Sequence, residues 1–154
     1  MSETVLRVGS AADRAFVAEL GSKTLRDSVA PFRTADDAML GTSFDRLLDF
    51  VWQQSHVLLL AVHAGRPVAF LILLDNLPDE VTLTPQAFVA YMAVDPRHRR
   101  QGIGTALLRR AENMARERGL SYLALMVTEQ NEAARHTYEA AGYLTERRLL
   151  CKPL

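Results

Sequence analysis

A single cysteine, Cys151, stands in this chain of 154 residues. That excludes an internal disulfide and any multi-cysteine zinc or iron–sulfur site. Long apolar runs are also missing: the longest, 57–62 and 68–74, fall far short of the ~20 residues a membrane span needs. Neither sign of charge is in excess, with 18 basic against 18 acidic residues. A dedicated binder of nucleic acid or of an anionic membrane would carry a basic surplus. The four histidines, His56, His63, His98 and His136, have no metal-ligand spacing, so no metal is expected. No Gly-x-Ser-x-Gly elbow occurs and Cys151 has no evident partner, which argues against a nucleophilic acyl-enzyme.

Nor is there a Pro-, Gly- and Ser-rich linker, a repeat or a low-complexity block. The opening MSETVLRVGS lacks the charged start and apolar stretch of a secretory signal. The expectation is one cytoplasmic domain over 1–154, with no nucleic-acid or membrane partner; a homodimer is compatible with these features. At this length roughly 68–70% of the unfolded surface can be buried, so the 49% hydrophobic content suffices without a staple.

Periodicity then orders the elements. Residues 4–8 alternate as a strand, and Ser10 with Asp13 resembles a helix start for a helix to about Ser28 that turns Phe16, Val17 and Leu20 inward. Thr34 can cap a second helix, whose Leu40, Phe44, Leu47, Leu48 and Val51 share one face. The apolar runs 56–63 and 67–74 flank Ala64-Gly65-Arg66 and read as a hairpin of buried strands. Residues 75–85 read as a polar loop and 86–94 as a strand. A helix over 102–118 carries Ile103, Leu107, Ala111 and Met114 on one face and stops at Gly119. A strand at 121–128, a helix at 131–141 and a last strand at 143–151 complete the order β-α-α-β-β-β-α-β-α-β. The long crossover in 86–128 implies parallel pairing beside an antiparallel hairpin, hence an α/β mixed sheet flanked by helices.

The chemistry concentrates at Val94-Asp95-Pro96-Arg97-His98-Arg99-Arg100-Gln101-Gly102-Ile103-Gly104-Thr105. This segment leaves a strand and opens a helix, with two glycines and three arginines around the turn. A helix start exposes unpaired N–H groups and partial positive charge, glycine lets backbone come close, and arginine adds charge-assisted bonds. That combination suits a phosphate or diphosphate; the alternative is a solvated basic turn whose glycines serve only the bend. A P-loop would need Gly-Lys before Ser or Thr, and a dinucleotide fingerprint would need a third glycine where Leu107 stands.

The segment resembles motif A of the GCN5-related N-acetyltransferases, Arg/Gln-x-x-Gly-x-Gly/Ala, met here by Arg99, Gly102 and Gly104. Asn131-x-x-Ala134-x-x-x-Tyr138-x-x-x-Gly142-Tyr143 looks like the same family's later segment. Asn131, Ala134 and Tyr138 lie i, i+3, i+7 along one helical stripe. The resemblance runs over nearly the whole chain and is strongest from 86 to 143. It implies an acyl-CoA N-acyltransferase-like fold, with a sheet splayed beside 86–94. It also implies an acetyl-CoA-dependent transfer of acetyl from sulfur to a primary amine, of a small molecule or of a protein, by direct attack in a ternary complex.

On that resemblance, the amides of Arg99, Arg100, Gln101, Gly102, Ile103, Gly104 and Thr105 would hold the diphosphate, with Arg99 and Arg100 supplying charge. The pantetheine arm would pair with the backbone of Met92, Ala93 and Val94, and an N–H near Met92 or Ala93 would face the oxyanion. Asn131 and Ala134 would touch the cofactor, and Tyr138 would protonate the departing thiolate. Asn131 has a second reading as a helix cap, and Tyr138 as a packed tyrosine.

Two departures stand out. Many members carry a glutamate on the strand matching 86–94, whereas QAFVAYMAV has no carboxylate; Asp79, Glu80 or a water chain remain candidates for the amine's proton, and no base is assigned. Arg100 occupies a position where many relatives have glycine, a change expected to add charge without an unusual backbone angle. The acceptor site is expected from 28–37, the 75–85 loop and the C-terminal strand region, and acids at Asp36, Asp37, Asp79 and Glu80 would favour a cationic amine. Trp52 reads equally as core or as a wall of that pocket. The rival functional readings are a catalytically idle acyl-CoA-binding module and a nucleotide-binding regulatory domain.

Overall fold

The computed structural model describes residues 3–154. Five strands form one mixed sheet in chain order: β1 (Thr4–Val8), β2 (His56–His63), β3 (Arg66–Leu74), β4 (Ala87–Val94) and β5 (Leu123–Leu125). The first four pair antiparallel and β5 runs parallel to β4. Four helices cover the sheet: α1 (Arg14–Thr24), α2 (Asp37–Trp52), α3 (Ile103–Glu117) and α4 (Glu132–Ala140).

The central hairpin is apolar throughout because both of its faces are covered. Leu59, Leu71 and Leu73 face α3, where they meet Leu107, Leu108 and Ala111. Their neighbours Leu58, Leu60, Phe70 and Ile72 face the other way, onto Val17 of α1 and Phe44 and Leu48 of α2. The hairpin turns on two residues, Ala64 and Gly65, both with positive φ (50° and 75°). Such a turn matches the right-handed twist of the paired strands.

The expected helix from Ser10 begins as a short 3-10 turn. The Ser10 N–H donates to Asp13 Oδ2 at 2.9 Å, and the Ala12 N–H to Ser10 Oγ at 3.3 Å. Its far end, Leu25–Ser28, tightens into a second 3-10 turn. The cap of α2 is Asp36, whose carboxylate accepts the Met39 N–H at 2.8 Å, and not Thr34. Asp36 stands immediately before the first helical residue, where its side chain can curl onto the exposed amides.

Two expected strands differ more. The strand read at 121–128 is paired only over Leu123–Leu125, after which the chain leaves β4 and Met126 is 75% exposed. The last strand, read at 143–151, does not form. In Leu144-Thr145-Glu146-Arg147-Arg148-Leu149-Leu150 the apolar residues fail to alternate, so no register buries them all on one face. Leu149 and Leu150 are 86% and 87% exposed, while Arg147 bonds to Asp79 and Glu80 of the 75–86 loop.

Candidate active site

The opening in the sheet follows from one extra residue. At the start of β4 the Ala87 N–H donates to Tyr122 O at 3.0 Å, so the odd-numbered backbone groups there face β5. Between Val89 and Tyr91 the register with β3 shifts by one, leaving Ala90 as a bulge. A bulge flips the side of every later backbone group. Beyond it the Asp95 N–H donates to Val68 O at 2.8 Å, so Ala93 also faces β3. By alternation, the N–H and C=O of Met92 and Val94 turn the other way. β5 has already departed there, because its pairing ends at Val89↔Leu125. A free strand edge therefore lines a wedge between β4 and β5.

At the mouth of the wedge the chain bends into α3. Asp95 caps the bend, accepting the Arg97 N–H at 2.9 Å and the Arg97 guanidinium at 2.9 Å. Arg97, first by its side-chain hydrogen bond, holds the Asp95 carboxyl at about 2, below the usual 3.8. The turn then passes through Arg100 and Gly102, both with positive φ (61° and 77°). Arg100 thus does adopt an unusual backbone angle: the bend needs a left-handed residue there, a conformation glycine takes most easily. Among the described residues, no protein acceptor takes the amides of Arg99 through Thr105 in a well-formed hydrogen bond; the first helical bond is Ala106 N–H to Gly102 O. A run of amides without well-formed protein hydrogen bonds at a helix start suits an anion.

Arg99 reaches back to the wedge, its Nε donating to Val94 O at 3.3 Å and its Nη2 lying 3.5 Å from Asp27. Arg100 is exposed and has no ion pair among the described residues. His98 lies beside His63, ring centroids 5.4 Å apart, so it supports the bend from beneath.

On the opposite side of the wedge, Asn131 caps α4 by accepting the Ala134 N–H at 3.2 Å. Asn131, Ala134 and Tyr138 are all half-buried along one side of the helix. The Tyr138 ring packs on the α3-side core and meets Tyr143 edge-on, with centroids 6.0 Å apart. Burial alone pushes its phenol upward.

The 3-10 turn Leu25–Ser28 bridges the two sides. Thr24 Oγ1 lies 2.8 Å from the Tyr91 hydroxyl on β4, and Thr128 Oγ1, beyond β5, donates to Ser28 O at 2.7 Å. Burial pushes the Tyr91 phenol up to about 12 from 10.0; the Thr24 bond and Arg99 pull against it, and Asp27 and Tyr138 add to it. Sequence reasoning missed Tyr91, Thr24 and Asp27. Tyr91 stood in the one strand noted for lacking a carboxylate, and that was its only visible signal.

The four acids expected around an acceptor are all engaged elsewhere. Asp36 caps α2, and Asp37 pairs with Arg26 at 2.8 Å. Asp79 is buried, accepting the Thr82 N–H and hydroxyl, each at 2.7 Å, and bonding Arg147. Those bonds, the Thr82 N–H foremost, hold its carboxyl far below the ordinary range. Glu80 lies 3.3 Å from the same arginine. A cavity of about 770 Å³ does join the 28–37 segment to the C-terminal residues, but the 75–86 loop does not line it. Trp52 stands apart from it, packed on the α1–α2 core beneath the Arg14 guanidinium.

Comparison with known proteins decides what this arrangement belongs to. A model of the acetyltransferase (GNAT) family matches residues 24–143. The chain is a member of the GNAT family. Its sequence is 48% identical over 50 residues to a streptothricin acetyltransferase of Streptomyces lavendulae, covering 32% of this chain and 26% of that protein. The match therefore spans about a quarter of that relative's length. Among solved structures, a proposed acetyl transferase from Pyrococcus furiosus superposes with a TM-score of 0.83 at 24% identity, over 99% of this chain and 100% of that one. An acetyltransferase from Clostridium acetobutylicum, solved with acetyl-CoA, superposes with a TM-score of 0.68 at 20% identity, over 98% and 96%. The wedge and the bend are thus set in a GNAT fold.

Proposed function

We propose that this chain is an acetyl-CoA-dependent N-acetyltransferase that moves acetyl from the thioester to a primary amine by direct attack. The observation that carries the reading is the run of amides without well-formed protein hydrogen bonds, Arg99 to Thr105, opening beside the free edge of β4. That run suits a diphosphate in charge. The free edge suits an amide-bearing arm that adds as a strand. Coenzyme A has both parts, and its acetyl thioester would supply an activated acyl carbon.

In this reading Arg99 and Arg100 add charge to the diphosphate, and Gln101, Gly102, Ile103, Gly104 and Thr105 offer backbone. Met92 and Val94 pair with the arm. Ala93 lines the strand but spends its backbone on β3, so the Met92 N–H is the group aimed at the developing oxyanion. Asn131 and Ala134 flank the arm on the α4 side. Tyr138, kept protonated by its burial, hydrogen-bonds to the departing sulfur. Asp79 is a poor base because its bonds hold it ionised; the amine gives its proton to water.

Calorimetry with acetyl-CoA, followed by free-thiol release across a panel of amines, tests this reading. Binding and turnover with at least one amine are expected. Tyr138→Phe should lower kcat about tenfold or more while changing acetyl-CoA affinity little. Equal losses in both would remove Tyr138 from the acid role. Binding without turnover for any amine would favour the idle acyl-CoA module, and no binding would end both readings.

A further inference from the structure

Resting on the acetyltransferase reading, we infer that the acceptor is a free amino acid with an apolar side chain, held by its carboxylate. The cavity of about 770 Å³ begins at the 3-10 turn Leu25–Ser28. That turn follows directly on Thr24, whose hydroxyl meets Tyr91 in the wedge wall. Leu25, at the rim of the cavity, is thus one residue along the chain from that contact. Its volume falls within the range of small-ligand pockets.

The lining has two components. Leu25, Phe32, Met39 and Leu40 give it an apolar wall, and Arg33 and Lys152 give it two cations. Among the described residues, no Asp or Glu side chain contributes to the lining. Arg33 stacks near the Phe32 ring at 5.8 Å and touches Cys151 Sγ at 3.4 Å, yet neither neighbour neutralises it. Among the described residues, Arg33 and Lys152 form no ion pair, although twelve bridges occur across the chain.

Charge then selects the ligand. A polyamine or an aminoglycoside-like polycation would bring several positive charges to two cations that form no ion pair, with no acidic side chain in the lining to receive them, and like charges repel. A zwitterion reverses the sign at one end. Its carboxylate takes the Arg33 fork and Lys152, its side chain lies on Phe32, Met39 and Leu40, and its amine points toward the Leu25–Ser28 turn and the wedge. Acylation forms a C–N bond and breaks the C–S bond. The ammonium gives one proton to water before attack. The second nitrogen proton, shed as the amide forms, is balanced by the proton the sulfur takes from Tyr138 and solvent as it leaves as the thiol of coenzyme A.

The test uses the intact chain with acetyl-CoA and measures thiol release for L-phenylalanine, L-phenylalaninamide, phenethylamine and spermidine, with L-leucine and isoamylamine as a second pair. The amide and the decarboxylated amine keep the apolar body and bracket the effect of amine basicity. The amino acids should exceed their carboxylate-free partners in kcat/KM by about tenfold or more, as expected for charge-assisted bonds. In Arg33→Gln and in Lys152→Gln, both at exposed positions, that ratio should fall by about tenfold. Ratios near one, or spermidine as the best acceptor, would overturn the inference while leaving acetyl transfer standing. Absence of heat on titrating acetyl-CoA to millimolar concentration would overturn acetyl transfer and this inference together.

Discussion

The Tyr91 hydroxyl lies 2.8 Å from Thr24 Oγ1, within hydrogen-bonding distance. Thr24 Oγ1 also donates to Leu20 O at 2.9 Å, one turn back in α1. The bond fastens the bulged stretch of β4 to the end of α1 at the point where the 3-10 turn begins. With its titration raised to about 12, Tyr91 keeps its proton at neutral pH.

Tyr91→Phe should therefore cost about 1 kcal/mol in urea unfolding at pH 7. Its effect on pH dependence has a definite sign. A phenol whose folded value lies above the unfolded value favours the folded state fully below pH 10.0. That contribution is lost as pH rises toward about 12. Unfolding midpoints measured between pH 9 and 12 should fall less steeply in Tyr91→Phe than in the parent. Parallel slopes would separate the residue from the alkaline transition.

Gly21 of α1 leaves room for the Phe44 ring of α2. A Cβ at this position would lie 1.9 Å from Cζ of the fully buried Phe44. Gly21→Ala should destabilise by about 3 kcal/mol or more, at the upper end of overpacking costs. Adding Phe44→Leu should restore part of the loss, since the two changes share one volume. Thermal unfolding of the two single variants and the double variant checks this.

Two substitutions in the bend should move stability in opposite directions. Arg100→Gly relieves a left-handed arginine and should raise stability by up to about 1 kcal/mol, while weakening acetyl-CoA binding in a salt-dependent way. Gly102→Ala places a Cβ at φ 77° and should lower stability by about 1 kcal/mol. Calorimetry at two ionic strengths, paired with thermal melts, separates charge from strain.

Asp79 ties the 75–86 loop to Arg147. Because its carboxyl is depressed in the folded chain, its contribution is present above the ordinary value of 3.8 and is lost as pH falls below it. Asp79→Asn should lower Tm by a few degrees at pH 7 and flatten the decline in acid. Turnover per folded molecule should persist, since this acid serves structure. Loss of turnover without loss of Tm would restore it as a candidate base.

Much of this was legible in the sequence, for identifiable reasons. The paired apolar runs announced β2 and β3 because both faces are covered, and Gly102 announced the bend because its φ of 77° is one glycine takes most easily. Asn131, Ala134 and Tyr138 announced one stripe of α4 by spacing alone. The bulge at Ala90 was invisible, because an inserted residue leaves no mark when every neighbour is apolar. The Tyr91–Thr24 bond was hidden by a separation of 67 positions. The strand expected at 143–151 misled because leucines suggest a strand even when an ion pair draws the chain elsewhere.

The three-residue pairing of β5 gives the sheet two leaves with a short hydrogen-bonded seam, held besides by Leu123, Leu125 and Tyr138 on the α3-side core and by Thr128 on Ser28. One leaf holds β1–β4 with α1, α2 and α3; the other holds β5 and α4. Hydrogen exchange should find the seam soft in the free protein and protected once a ligand lies across it, so that occupancy itself would stiffen the fold.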